Sequence, residues 1–224
     1  MKKIDNYLMP LGMVGVLFYF THTILGNILW KEYNPITTDI SSLTAEGAPN
    51  AQMLKILSFI YGICMVLMVI ALIIKAFRQY RAMLRIGYII LIIMQLTSLF
   101  GYGLFPLTGD KSEMNFQNTM HILVTVIVVF TTIASSFLIS LGYLKQERMK
   151  SLGKLTLVMA VLITVFGMFN PISMSLKLNI LGLTERLVIY SIQILMFILS
   201  YYYTFLDNKY NGLPQAISGK RHHT

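Results

Sequence analysis

Six stretches of this chain are each apolar for long enough to cross a lipid bilayer, and that repetition constrains the fold more than any motif in it. They run from Tyr7 to Trp30, Met53 to Phe77, Ile86 to Phe105, Asn118 to Leu144, Gly153 to Asn170 and Glu185 to Leu206. About 20 apolar residues span a hydrocarbon core, so six spans consume most of the 224 residues and leave short loops. The expected fold is all-α: a six-span transmembrane helical bundle in one domain, residues 1–206, followed by a tail, 207–224. Composition agrees, with 56% hydrophobic residues, 12% charged residues and a mean hydropathy of +0.68. Soluble domains carry about 25% charged residues. A separate soluble catalytic domain, a disordered regulator and a disulfide-stapled scaffold are thereby excluded.

Basic residues set the expected orientation. With a cytoplasmic N-terminus, thirteen of the 18 Lys and Arg residues fall inside and five, Lys31, Lys55, Lys111, Lys177 and Arg186, fall outside. Both termini are therefore expected in the cytoplasm of a multi-pass cell-membrane protein. The same sorting accounts for the net charge of +9 without a nucleic-acid partner, since the basic residues sit in short loops and tails with no aromatic groove between them. Membrane lipids are the implied partners; the sequence leaves any protein partner open. The Lys2-Lys3 start resembles a leader, but the apolar run after it is long, contains Pro10 and ends at no small-residue cleavage site, so it reads as a retained span. The single Cys64 lies within the second span and reads as a small packing residue.

Punctuation adds detail. The odd-numbered spans each leave the membrane at an aromatic residue close to a proline, at Tyr33-Asn34-Pro35, Phe105-Pro106 and Phe169-Asn170-Pro171. Aromatic anchoring and helix termination by proline explain the recurrence. The loop from Lys31 to Gln52 is longer than topology requires. Ile36, Ile40 and Leu43 recur there at helical spacing, with Thr37, Asp39, Ser41 and Glu46 around them and Gly47 as a stop, which predicts a short amphipathic helix on the outer membrane surface.

Polar residues inside a bilayer are expensive, so the faces that carry them point inward. Gly15, Tyr19, His22 and Gly26 share one face of the first span; Gln95, Ser98 and Tyr102 align on the third. His121, Thr125, Val128, Thr132 and Ser135 form a stripe on the fourth, and Arg186, Tyr190 and Gln193 on the sixth. At about 1.5 Å per residue His121 lies about 6 Å from the outer end, Ser98 about 10 Å, and His22 and Gln193 about 12 Å. The shared level predicts a polar pocket in the outer half, roofed by residues 37–46. Thr184 is expected to cap the last span, with Glu185 at the positive end of its dipole.

Taken in order, Tyr33-x-Pro35, Ile40-Ser41-x-Leu43, Gly47-x-Pro49, Phe105-Pro106, His121 and Gly182-Leu183-x-Glu185-Arg186 resemble the bacterial and archaeal membrane family known as domain of unknown function 998. The resemblance covers Tyr7 to Leu206. It implies a multi-span membrane protein and no established activity. Carried over by position, its polar residues are Ser41, His121, Glu185 and Arg186; an acidic residue expected directly after Phe-Pro comes later here, as Asp110, where a turn is the simpler reading.

Three functions fit. The first in rank is binding or sensing of a lipid or other amphiphile, with Arg186, Glu185, Gln193, Tyr190, Ser98, Tyr102 and Gln95 as ligand-binding residues. The alternative is a membrane-embedded hydrolase or transferase acting on an outer-leaflet amphiphile, with His121, His22, Ser41 and Asp39 as its catalytic set. Zinc is a possible cofactor for it but not the favoured one, because two intramembrane histidines fall short of the three protein ligands a catalytic zinc site uses. A small transporter ranks third, since the spans offer little polarity in their cytoplasmic halves.

Overall fold

The computed structural model describes residues 7–109 and 115–207. Its described residues form six helices long and apolar enough to cross a membrane and no strand, only one isolated bridge between Glu46 and Thr108. They are α1 (Leu11–Leu29), α2 (Ala51–Gln79), α3 (Ala82–Leu104), α4 (Phe116–Leu144), α5 (Lys150–Ser175) and α6 (Leu181–Leu206). Asp110, the basic N-terminal residues and the tail from 208 lie outside the described residues.

Each helix packs on its chain neighbours, and α6 returns to pack on α1, so the six form a closed ring. Small residues permit the close approaches. A Cβ on Gly12 would lie 2.1 Å from Met68 Sδ and 2.7 Å from Ser200 Cβ, and one on Gly142 would lie 2.7 Å from Leu84 Cγ. Ser200 also locks the ring closure: its hydroxyl donates to the Met9 carbonyl at 2.6 Å and accepts from the Met13 N–H at 3.0 Å, a first-turn donor shared with the Pro10 carbonyl at 3.1 Å. Polar and apolar residues are distributed as a bilayer demands. Leu17, Ile28, Phe100, Phe130, Val158 and Phe205 face outward, whereas Gln95, Thr132, Ser135, Ser140, Thr156, Ser191 and Gln193 are buried.

The ring has two unlike halves. At the basic end, where α2 meets α3 and α4 meets α5, the interior is filled by Met65, Met68, Leu72, Tyr88, Ile139 and Tyr143. Here Lys75, one of the residues assigned to topology by charge, is buried and paired with Asp207 at 2.5 Å. The Lys75 ammonium also lies 5.3 Å from the centre of the Tyr203 ring, and Tyr203 is hydroxyl-bonded to Tyr80, Tyr88 and Tyr143. Burial holds the Tyr80 hydroxyl, which accepts from Tyr203, well above its ordinary pKa, so it stays protonated.

Residues 30–50 close the other, capped end. In place of the expected amphipathic surface helix this segment makes a single 3₁₀ turn, Ile40–Thr44, packed on α1, α2 and α6. Left-handed backbone at Gly47 and Asn50 stops a longer helix, and burial of Ile40 and Leu43 with Tyr33 and Leu54 drives the turn inward, while Ile36 is left 51% exposed. Two helix ends also differ from expectation. α5 continues through Pro171 to Ser175, one backbone donor short at the proline; the helix then closes with Lys177 at φ 52°, Leu178 N–H on the Ser173 carbonyl (2.9 Å) and Lys177 N–H on that of Met174 (3.2 Å). α6 starts at Leu181, so Thr184 sits inside its first turn, and its hydroxyl bonds Asn170 Oδ1 instead of capping.

Candidate ligand cavity

The capped half of the ring encloses a cavity of about 570 Å³ to which all six helices and the 3₁₀ turn contribute. Its size falls within the roughly 300–1,000 Å³ of small-molecule sites, and its walls follow their pattern of apolar surface with a few polar groups. One wall is built by α1, α2 and α6. The Tyr19 ring lies 5.8 Å from that of His22 and 4.9 Å from that of Tyr61, and Gln193 Nε2 donates to the Tyr61 hydroxyl at 2.9 Å. The other is built by α3 and α4. The Tyr102 ring lies 5.0 Å from that of His121, tilted against it, and its hydroxyl donates to Thr125 at 3.1 Å. His121 Nδ1 donates to the Phe105 carbonyl at 2.9 Å, satisfying a C-terminal carbonyl of α3.

Between these walls several polar atoms have no hydrogen-bond partner among the described residues. His22 is 2% exposed, yet neither ring nitrogen is hydrogen-bonded among the described residues; Gln95 Nε2 and Gln193 Oε1 are likewise buried and unpartnered. Ser98 reaches the cavity from a π-helical turn, Thr97–Gly101, that widens α3 at this level, and Tyr102 from the residue that follows it. Buried polar groups are normally bonded, and each exception costs about 1–3 kcal/mol unless something satisfies it.

The residues of the Gly182-Leu183-x-Glu185-Arg186 motif do different work. Arg186 Nη1 donates to the carbonyls of Pro35 (2.7 Å), Thr38 (3.1 Å) and Gly182 (2.9 Å), and Nη2 to the Tyr33 hydroxyl at 2.6 Å. The Tyr33 hydroxyl in turn donates to the Asp39 carbonyl at 2.9 Å; burial, outweighing the nearby guanidinium, pushes its pKa up to about 12 and keeps it a donor. Glu185 Oε2 accepts from the Ile40 N–H, and Leu183 N–H bonds the Ile36 carbonyl at 2.9 Å. Gly182 lies so close beneath the cap that a Cβ there would be 2.2 Å from the Thr38 carbonyl oxygen. On the α3–α4 side, buried Asn118 bonds the Thr108 backbone at both its carbonyl and its N–H (2.9 Å each), and Glu46 N–H bonds the neighbouring Leu107 carbonyl at 2.9 Å. The motifs Tyr33-x-Pro35, Ile40-Ser41-x-Leu43 and Gly182 to Arg186 are thus one physical unit, a latch that holds the cap on the bundle.

Of the residues singled out from sequence, His22, Gln95, Ser98, Tyr102, His121, Gln193, Ser41 and Glu185 line the cavity, the last two at its roof. Arg186, Tyr190 and Asp39 do not. The α6 stripe that faces the cavity runs through Glu185, Ile189 and Ile192, so Arg186 and Tyr190 lie one position round, toward the cap and α1, and Tyr190 packs 5.0 Å from Phe20. Asp39 accepts from Ser42, and Ser41 donates to Glu185 across 3.4 Å, not to an imidazole. Among the described residues no three His, Cys, Asp or Glu side chains converge as a metal-ligand set. Sequence reasoning missed Tyr61, Asn118 and Asn170; intramembrane Tyr61, three residues before Cys64, carries the one signal that depth would have revealed.

No curated protein and no solved structure matches the chain. A family model, described as Protein of unknown function (DUF998), matches residues 13–202, which spans every cavity helix and the latch. This chain, a multi-pass membrane protein by its six apolar helices, belongs to that family.

Proposed function

We propose that this protein binds or senses one molecule of a lipid or other amphiphile in the cavity at its capped end, and that this end faces outward. The observation that carries the reading is His22: an imidazole with both nitrogens unpartnered, buried between helices where a bilayer protein has most to lose from an unsatisfied polar group. A ligand head group at the level of His22, Gln95 and Gln193 supplies what the protein withholds. The orientation rests on the excess of Lys and Arg at the opposite end. Binding ranks above catalysis because Ser41 and Asp39 are engaged within the cap, each with a neighbour that is not a histidine.

Native mass spectrometry of the purified protein tests this. The wild type retains a co-purifying amphiphile, and His22→Leu, which keeps the volume roughly filled but removes both ring nitrogens, lowers retention at least about tenfold, the equivalent of one lost head-group contact pair. Equal retention by wild type and variant would remove the reading.

A further inference from the structure

The cavity residues that are also exposed at the surface lie on two helices only: Gln52, Lys55, Ile56 and Phe59 on α2, and Gly103 on α3. Ile56 and Phe59 leave 58% and 56% of their surface open although they line the cavity, so this wall is incomplete. The reason lies in the packing. Leu54 is buried under the cap with Tyr33, Ile40 and Leu43, whereas Ile56 and Phe59 of the same helix are left uncovered. Deeper, α2 and α3 touch: a Cβ on Gly62 would lie 2.5 Å from Leu99 Cδ1. Nearer the cap, Ile56 and Phe59 on α2 and Gly103 on α3 line the cavity and are at the same time exposed on the outer surface of the ring.

We infer that α2 and α3 frame a lateral window through which the ligand passes from the bilayer, its head group inward and its hydrocarbon chain lying in the window against Ile56 and Phe59. The head is uncharged and carries both a donor and an acceptor, as a primary amide or an alcohol does. Two charged side chains line the cavity, Lys55 at the window rim and Glu185 under the cap. An anionic head at the depth of His22 would face a carboxylate with no interior cation, and an unpaired buried charge is far costlier than a bonded neutral group. A neutral head finds a donor in Gln95 Nε2, an acceptor in Gln193 Oε1, and one of each on a neutral imidazole. This inference rests on the amphiphile reading above and adds the route and the ligand class.

Gly103 offers the test. A Cβ there meets nothing within 4 Å, so Gly103→Trp places a large ring at the window without disturbing a packed contact. The probe is an oleamide analogue bearing a diazirine midway along its chain, with the matching carboxylate as comparison, added to full-length protein in bilayer discs and photolysed. Labelling by the amide on residues 52–59 and 98–103 is expected, at least about tenfold above the carboxylate, and Gly103→Trp lowers it at least about tenfold while Gly103→Ala does not. Equal labelling of Gly103→Trp and wild type, or of wild type by both probes, would overturn the inference. His22→Leu separates the two levels: loss of labelling in that variant but not in Gly103→Trp keeps the cavity and removes the window, and loss in neither removes both. Should Gly103→Trp fail to fold, the labelled positions on the wild type decide, since adducts confined to the cap or to α6 contradict a window between α2 and α3.

Discussion

At the residue scale the capped half holds two kinds of polar side chain, Arg186 on α6 and His22 on α1, and their hydrogen bonds tell them apart. Arg186 spends its donors on four groups, three of them backbone carbonyls, so its role is to hold the cap. A guanidinium fork does this in a way an ammonium does not. Arg186→Lys is expected to destabilise the protein by about 1.5–3 kcal/mol and to speed hydrogen exchange across residues 33–46 while leaving the basic end unchanged; uniform exchange throughout would contradict the latch. His22 is the opposite case, costly to the fold and useful only if something else bonds it. The cavity-facing positions of His22, Gln95, Ser98 and Gln193 are legible in the sequence because a polar residue in a long apolar run has few places to go. Arg186 and Tyr190 are not, because one helical position turns a side chain by about 100°, and which neighbour it then meets depends on packing.

At the element scale, the helices are legible from their apolar length, but their ends and the cap are not. α5 passes through Pro171, and the segment around Ile40 and Leu43 becomes a turn because its apolar pair is worth more inside the bundle than on the membrane surface. The fit of the cap on α6 is tight at Gly182. Gly182→Ala drives a Cβ into backbone rather than a yielding side chain, and a loss of about 1–3 kcal/mol or more is expected in thermal unfolding. A variant as stable as the wild type would show that the cap is not seated on α6. At the other end, Lys75 looks like a topology charge in the sequence and is instead the buried partner of Asp207, joining α2 to the end of α6. Removing one member strands the other. Lys75→Met is expected to cost about 3–5 kcal/mol, and Lys75→Met with Asp207→Leu to recover most of it; equal losses in both would contradict pairing.

At the scale of the whole molecule, a ring of six helices closed by α6 on α1 has one solid and one hollow half: large side chains fill the basic end, and at the capped end apolar side chains with a few polar ones line a cavity. The expected orientation is measurable because the native thiol, Cys64, is buried in α2. On intact cells a membrane-impermeant maleimide should label Glu46→Cys and leave Glu147→Cys unlabelled; the reverse pattern would invert the topology. The central claim is that His22 serves a ligand and not the fold, and thermal unfolding of delipidated protein tests it most directly. Without lipid, His22→Leu should melt at or above the wild type, since it removes a buried group that the protein leaves unbonded; on adding back membrane lipid extract the wild type should gain stability and the variant gain little. A variant that melts several degrees below the wild type without lipid, or that gains as much as the wild type with it, would contradict the claim.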